Sequence, residues 1–265
     1  MTTSLDKELT VAEAAARAAG KHIMTFWNQD VEMEYKGEVD LVSHVDRGAE
    51  QIILSHLHDA FPADCIVGEE GDGHSNSSNR VWFVDPLDGT TNFAHGIPHF
   101  CVSIGLVIDD VPSLGVVYDP TRDFLFVGDL ELGASLNGKS IYVSETEVLG
   151  QSLMATGFPY DRRTNPNNNM DRASHIIRHC QGLRRAGAAA LDLAYVAAGW
   201  LDGYWEDRLH PWDVAAGIAL VRAAGGHVTD FQGLCVSVTD GRCVATNGLI
   251  HRELIEQIHV GSQNE

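Results

Sequence analysis

Two aspartates three residues apart, at the end of an apolar run, constrain this chain more than any other feature. The segment Asp85-Pro86-Leu87-Asp88-Gly89-Thr90-Thr91-Asn92-Phe93 directly follows Val81-Trp82-Phe83-Val84. The apolar run reads as a buried strand. At its end the chain offers two carboxylates, a turn, and then exposed amides and hydroxyls. Pro86 fixes its own φ and, with Gly89, favours a turn that folds both acids toward one point. Hard cations such as Mg²⁺ take oxygen ligands, usually a few carboxylates with waters and substrate phosphate. Asp85 and Asp88 supply the carboxylates, and the Leu87 carbonyl between them is a further donor. The amides of Gly89, Thr90 and Thr91 can cradle a phosphate, more so if a helix begins there. Taken alone, the run reads equally well as a polar turn with two solvated aspartates.

Two other segments bear on that choice. Upstream, the short apolar stretch Cys65-Ile66-Val67-Gly68 ends in Glu69-Glu70. Far downstream, the segment from Trp212 to Gly226 carries Val214, Ile218 and Val221 at helical spacing and closes on a glycine pair. Asp213 then sits at a helix N-terminus, where the positive end of the dipole favours an anion.

Glu69-Glu70, the Asp85 to Phe93 run and the Trp212 to Gly226 segment, in this order and at these wide spacings, resemble the three signatures of the inositol monophosphatase family. The likeness extends from the Lys36 region to about Asn247. It implies a Mg²⁺-dependent, lithium-sensitive phosphomonoesterase, usually a homodimer. The implied fold is α/β (α+β layered), an αβαβα sandwich of the inositol monophosphatase and fructose-1,6-bisphosphatase type. By resemblance, one metal takes Glu69, Asp85 and the Leu87 carbonyl, and a second takes Asp85, Asp88 and Asp213, so that Asp85 bridges. A third, weaker ion near Glu69 brings the count to two or three. Two ions about 3.5–4 Å apart can serve both oxygens of an in-line displacement.

The resemblance also distributes roles. The implied reaction is hydrolysis of a small phosphomonoester, foremost myo-inositol monophosphate, by direct attack of a metal-activated water. Thr90 and Glu69 hold and deprotonate that water, and Asp46, in Val45-Asp46-x-x-x-Glu50, accepts from the Thr90 hydroxyl. Asp46 reads independently as a helix N-cap, and the two readings are compatible. Glu70 is a supporting or structural residue. Gly89 and Thr90 meet the phosphate, whereas Asp88, Glu206 and the Gly187-Ala188-Ala189 segment meet the alcohol. Many relatives carry Ser or Thr where this chain has Ala188, which removes one hydroxyl contact and bears on substrate preference. Fructose-1,6-bisphosphate, histidinol phosphate and nucleotide 3′-phosphate are alternative substrates within the superfamily. A non-enzymatic role as partner of transcription antitermination proteins is a further alternative. A phospho-aspartate mechanism of the Asp-x-Asp-x-Thr kind fits less well, because two residues separate Asp85 from Asp88.

The formal net charge is −19, which argues against nucleic acid or an anionic membrane as a direct partner. It also makes cations necessary at an anion-processing site. Four carboxylates and a dianionic phosphate carry roughly −6, which about three divalent cations balance, and without cations some of the acids bind protons instead. The five cysteines, Cys65, Cys101, Cys180, Cys235 and Cys243, form no close pair and read as reduced thiols. No signal pattern and no membrane-length apolar run is present, so cytoplasmic location is the default expectation.

The 265 residues are expected to form one unit, subdivisible into 1–144 (helix pair plus antiparallel sheet, most metal ligands) and 145–265 (an α/β layer completing the site). Thr10-Val11-Ala12-Glu13 resembles a capping box, predicting an amphipathic helix to Trp27 with Val11, Ala15, Ala18, His22 and Phe26 on one face. A start one turn earlier, near Leu5, is the alternative. Residues 30–45 read as extended with turns near Gly37, and a second helix starts near Asp46. Gly71 to Asn79 reads as a loop. Alternation from Phe100 to Ile108 predicts a strand, followed by a turn at Asp109-Asp110 and strands over 114–118 and 124–127. In the second half, a loop over 164–169 precedes helices over 170–180, 188–199 and from 212, strands over 200–205 and 228–230, and a last helix over 250–258. His175 and His179 share a helix face but lack the acid of a zinc helix, and His95, His99 and His210 read as loop-holding residues near the motifs. Lys36 is not assigned a role, since its spacing to Asp46 is one residue shorter than in relatives of the family that the chain resembles. The site is expected where the two halves meet.

Overall fold

The structure, a computed structural model, describes residues 5–29, 31–35, 41–71 and 78–262. From the N-terminus, α1 (Asp6–Phe26) leads through a two-stranded ribbon, β1 (Glu34–Tyr35) and β2 (Leu41–Val42), to α2 (His44–Ala60). Next come β3 (Cys65–Gly68), β4 (Arg80–Asp88), the short α3 (Thr90–Ala94), and a meander of β5 (Cys101–Ile108), β6 (Val111–Asp119), β7 (Phe124–Asp129), β8 (Gly133–Leu136) and β9 (Lys139–Ile141). The second half contains β10 (Leu153–Thr156), α4 (Met170–Ile176), β11 (Gly182–Arg184), α5 (Ala189–Ala197), β12 (Gly203–Asp207), α6 (Pro211–Ala223), β13 (His227–Thr229), β14 (Arg242–Thr246) and α7 (His251–Ser262).

These elements stack as five layers. The pair α1–α2 covers one face of a seven-stranded sheet, β3 to β9 in sequence order, and α5–α6 covers the other. Beyond α5–α6 lies a five-stranded sheet of order β11-β10-β12-β14-β13, and α4–α7 pack on its outer side. The layered αβαβα expectation therefore holds. In the large sheet β3 and β4 are parallel and the other pairs antiparallel; in the small one β10 is parallel to both β11 and β12. Three apolar clusters fill the four gaps, the middle one spanning both sides of α5–α6. Ile53, Trp82 and Ile104 lie in the outer one; Phe126, Leu193 and Ile218 in the middle; Trp205, Ile176 and Ile258 at the far side.

Several sequence expectations shift. The first helix starts at Asp6 with Leu5 as its N-cap, as the alternative start expects, and Thr10 is no cap: its hydroxyl bonds back to the Asp6 carbonyl at 2.8 Å. Its buried face is Ala12, Ala15, Ala16, Ala19 and Ile23, because small side chains let it lie close against α2 and the sheet. The cap of α2 is Ser43, not Asp46. Asp46 is the third helical residue and closes a capping box by accepting from the Ser43 amide at 2.9 Å. The strand expected over 200–205 spans Gly203–Asp207, and the helix expected over 170–180 stops at Ile176. The Asp109-Asp110 turn has both residues at positive φ, as a tight hairpin requires. Lys36, Gly37 and most of the expected 71–79 loop lie outside the described residues. All five cysteines are free thiols, and no helix among the described residues is long and apolar enough to cross a membrane.

One packing detail governs where α6 lies. Gly105, Gly115 and Gly128 are register partners on β5, β6 and β7, forming a side-chain-free row across the sheet. A Cβ at Gly105 would stand 2.5 Å from the Ala216 nitrogen, one at Gly128 2.7 Å from the Leu220 Cα, and one at Gly115 closer still to the Ala216 carbonyl. The helix backbone rests directly on the strands. Gly115→Ala is expected to destabilise the fold by about 1–3 kcal/mol or more through overpacking. A urea midpoint equal to wild type would show that α6 is not held by this contact.

Candidate active site

The two motif aspartates reach the same side by a bulge. An odd spacing along a regular strand puts side chains on opposite faces. Here Asp85 pairs with Ser103 and Asp88 with Cys101, so three steps on β4 match two on β5 and the register shifts between the acids. The strand thus runs through the motif, where a turn after the strand was expected. The turn comes at Gly89, with φ of 96°, where an added Cβ would lie 3.0 Å from the His99 carbonyl oxygen.

Glu69 follows β3, its amide bonded to the Val84 carbonyl at 3.1 Å. Asp213 is the third residue of α6. Glu69, Asp85, Leu87, Asp88 and Asp213 line a cavity of about 250 Å³, together with Gly89, Thr90 and Thr91. Gly187, Ala188, Ala189 and Glu206 line the same cavity. Asp46 stands behind Thr90: the Thr90 hydroxyl lies 3.1 Å from Asp46 Oδ1 and 3.0 Å from the Leu87 carbonyl. The other Asp46 oxygen takes the Ser43 amide and hydroxyl.

Each buried acid is gripped by backbone. Leu87 N–H donates to Asp85 Oδ1 at 3.0 Å, Ala190 N–H to Asp88 Oδ2 at 2.8 Å, and His210 N–H to Asp213 Oδ2 at 2.6 Å. These bonds fix orientation and leave the second oxygen of each carboxylate to the cavity. Burial, then the neighbouring Glu69, Asp88 and Asp213 charges, hold Asp85 well above the usual carboxylate range. Burial, then Asp88 and Glu69, do the same to Asp213. Burial, with Glu69 nearby, pushes Asp88 up to about 7, and burial, with a smaller push from the Asp207 charge, takes Glu206 to about 7 against the Tyr204 hydroxyl bonded to it at 2.6 Å. Among the described residues no three acids, imidazoles or thiols already converge as a metal cage. The case for a cation rests on the donor chemistry: an all-oxygen set of acids whose burial and mutual repulsion favour added positive charge.

Other residues serve the site without having been singled out. Glu50, fully buried on α2, accepts from the Glu70 amide at 2.9 Å and so shapes the turn carrying Glu69. Asn92 donates to the His99 and Ala186 carbonyls at 2.7 and 2.9 Å, tying α3 to the Gly187 segment. Asp192, Arg185 and Arg208 also line the cavity. Cys101 Sγ lies 3.6 Å from Asp88 Oδ2. Of the histidines, His210 lines the cavity and stacks on Trp212, His99 packs edge-on against Tyr195, and His95 is exposed. His175 bonds Gln257 at 2.7 Å and His179 bonds the His175 carbonyl at 2.9 Å, so neither is poised as a ligand.

The inositol monophosphatase family model matches residues 4–263. The chain belongs to the inositol monophosphatase family. It is 45% identical over 258 residues to an inositol-1-monophosphatase of Synechocystis sp., covering 97% of this chain and 90% of that one. It is also 43% identical to the Nus factor SuhB of Pseudomonas aeruginosa, covering 94% and 95%. Among solved structures, the inositol monophosphatase of Anabaena (Nostoc) superposes with a TM-score of 0.90 at 43% identity, covering 97% of each chain. The protein is thus a phosphatase of the inositol monophosphatase type, a metal-dependent family.

The raised acids set a pH dependence. Folded Glu206 keeps its proton up to about 7 whereas the unfolded chain releases it near 4.5, so the native state binds more protons in between. Its contribution is complete below the unfolded value and is lost as pH rises through about 7; Asp88 acts in the same sense. In excess chelator the thermal midpoint is expected to fall from pH 5 to pH 8, with a shallower fall in Glu206→Gln. A midpoint that rises over this range would contradict the burial assigned to these acids.

Proposed function

We propose that this protein hydrolyses small polyol phosphomonoesters, foremost myo-inositol monophosphate, to the free polyol and phosphate. The observation that carries this reading is that Glu69, Asp85, Leu87, Asp88 and Asp213 line one cavity together with Glu206 and Gly187 to Ala189. The all-oxygen donor set fits Mg²⁺. Glu69, Asp85 and Leu87 would hold one ion, Asp85, Asp88 and Asp213 a second, and Glu69 would lie near a weaker third. When bound, the ions supply charge that stabilises phosphoryl oxygens and eases deprotonation of water.

The chain's own groups do the rest. The amides of Gly89 and Thr90, with Thr91, hold the phosphate, since amides in a first helical turn lack intrahelical partners. Thr90 gives its hydroxyl hydrogen to Asp46, which leaves its lone pairs to accept from the attacking water. Glu69 takes the proton from that water. Asp46 aligns Thr90, and Ser43 in turn fixes Asp46. On the alcohol side, Glu206 accepts from substrate hydroxyls, and Ala188 offers none of the hydroxyl contacts a Ser or Thr would add. Lithium inhibition and assembly as a homodimer go with this reading.

Phosphate release is expected to need Mg²⁺ and to fall by about 100-fold or more in Asp88→Asn and in Asp213→Asn. A phosphate-release screen over inositol, sugar, nucleotide and histidinol phosphates should place inositol monophosphate first by kcat/KM. Full activity in excess chelator would overturn the metal reading, and a different leading ester would overturn the substrate.

The similarity to a Nus factor favours a second reading, in which the chain also binds a protein partner. The net charge of −19 suits a basic one. In pulldowns from the native source, a partner recovered equally by wild type and Asp88→Asn is expected. Recovery by neither would leave the enzymatic reading alone.

A further inference from the structure

A sixth acid, Asp192, faces the cavity from α5, beside Glu69, Asp85, Asp88, Glu206 and Asp213. Asp192 follows Ala188 and Ala189 by four and three residues, so the three share one side of the helix start, and all three line the cavity. The residue is only 3% exposed. Its carboxyl has no hydrogen-bond partner among the described residues; what acts on it is burial, the charges of Glu206 and Asp88, and the opposing charge of Arg185. Asp192 therefore differs from Asp85, Asp88 and Asp213, each of which holds a backbone amide. It differs from Glu206 too, which has the Tyr204 hydroxyl. A buried carboxyl without a partner is destabilising, and the groups that could satisfy it must come from the cavity.

The surroundings narrow the chemistry of that group. Asp192, Glu206 and Arg185 all line the cavity, and the Arg185 charge acts on both carboxyls, so they make up its charged wall. Gly187, whose missing Cβ leaves room for the Arg185 guanidinium, lies beside it. Two carboxyls and a guanidinium side by side match hydroxyl groups, which both donate and accept. A second phosphate would meet two acids there, and an aromatic alcohol would leave both unsatisfied.

We propose that Asp192 is a specificity-determining residue, accepting a hydrogen bond from a second hydroxyl of the substrate beside the one taken by Glu206, so that the pocket selects phosphate esters of alcohols with neighbouring hydroxyls. This rests on the polyol phosphatase reading above. In that arrangement the wall measures hydroxyl pairs, and Asp192 contributes to ground-state binding of the alcohol more than to the displacement at phosphorus.

The test compares myo-inositol 1-phosphate, p-nitrophenyl phosphate and phosphoethanolamine as substrates of wild type, Asp192→Asn and Asp192→Ala with Mg²⁺. In Asp192→Asn the ratio of kcat/KM for the inositol ester over the nitrophenyl ester is expected to fall about tenfold, the worth of one hydrogen bond, with the change in KM. Asp192→Ala should fall at least as far. The thermal midpoint of Asp192→Asn should equal or exceed that of wild type, since an unpartnered buried carboxyl gives way to a neutral amide of similar shape, which separates the effect from misfolding. An unchanged ratio in both variants, a parallel loss on all esters, or a loss confined to phosphoethanolamine would overturn the inference. A wild type that does not prefer the inositol ester would instead overturn the polyol reading.

Discussion

The contact between α6 and the glycine row of the large sheet is the constraint on which the site depends. Asp213 belongs to α6, whereas Asp85 and Asp88 belong to β4 of that sheet. Their separation in space is therefore set by how closely helix and sheet approach. Gly105, Gly115 and Gly128 clear a row of side chains from under the α6 backbone, and Ala215 and Ala216 keep the helix side small. Gly217 does the same toward Leu193 of α5. A methyl group anywhere in the row would lift α6 and carry Asp213 away from the other acids. The Ser103 hydroxyl, 3.4 Å from the Trp212 carbonyl, adds a polar tie at the end that matters.

Bringing like charges together opposes folding, and the backbone offsets part of that cost. The amides of Leu87, Ala190 and His210 each hold one oxygen of an acid. Charge-assisted bonds of this kind are stronger than neutral ones. They do not neutralise the carboxylates, and burial keeps Asp85, Asp88 and Asp213 raised. The acids are thus oriented and still in need of positive charge. Asp46 is built otherwise. Ser43 satisfies one oxygen twice and Thr90 approaches the other, which suits a residue that positions a hydroxyl.

Periodicity in the sequence revealed the strand before Asp85, the long strand from Cys101 and the helix carrying Asp213, because each buries a regular pattern. The bulge was not legible: Pro86 and Gly89 suggested a turn, and only pairing with β5 shows three residues opposing two. Thr10-Val11-Ala12-Glu13 imitates a capping box, yet Asp6 to Leu9 are themselves good helix formers and α1 absorbs them. The strands β8 and β9 are short and mostly half-exposed or exposed, and β10 and β14 are short apolar runs, so neither pair carries a usable period. The bond from Ala190 to Asp88 spans 102 residues of sequence and has no local trace. Asp192 did have a signal, an acid between Leu191 and Leu193 in an otherwise apolar helix, but helix periodicity gives such a residue no chemistry by itself.

The two ends of the cavity differ in what holds them. At the phosphate end, Asp85, Asp88 and Asp213 are held by backbone amides and by a helix lying on a sheet. At the alcohol end, Glu206 has room only because Gly157 lacks a Cβ, which would collide with its carboxylate, and Arg185 lies where a Cβ on Gly187 would stand. Arg208, at a φ of 63°, reaches across the rim to pair with Asp161. These contacts are made by side chains and by the absence of side chains. Substitution there can retune the alcohol while the phosphoryl chemistry stays in place. The family's reaction follows from the first end, and the choice of substrate from the second. For this chain, that second group of residues includes Ala188 and a buried Asp192 whose partners must come from the cavity.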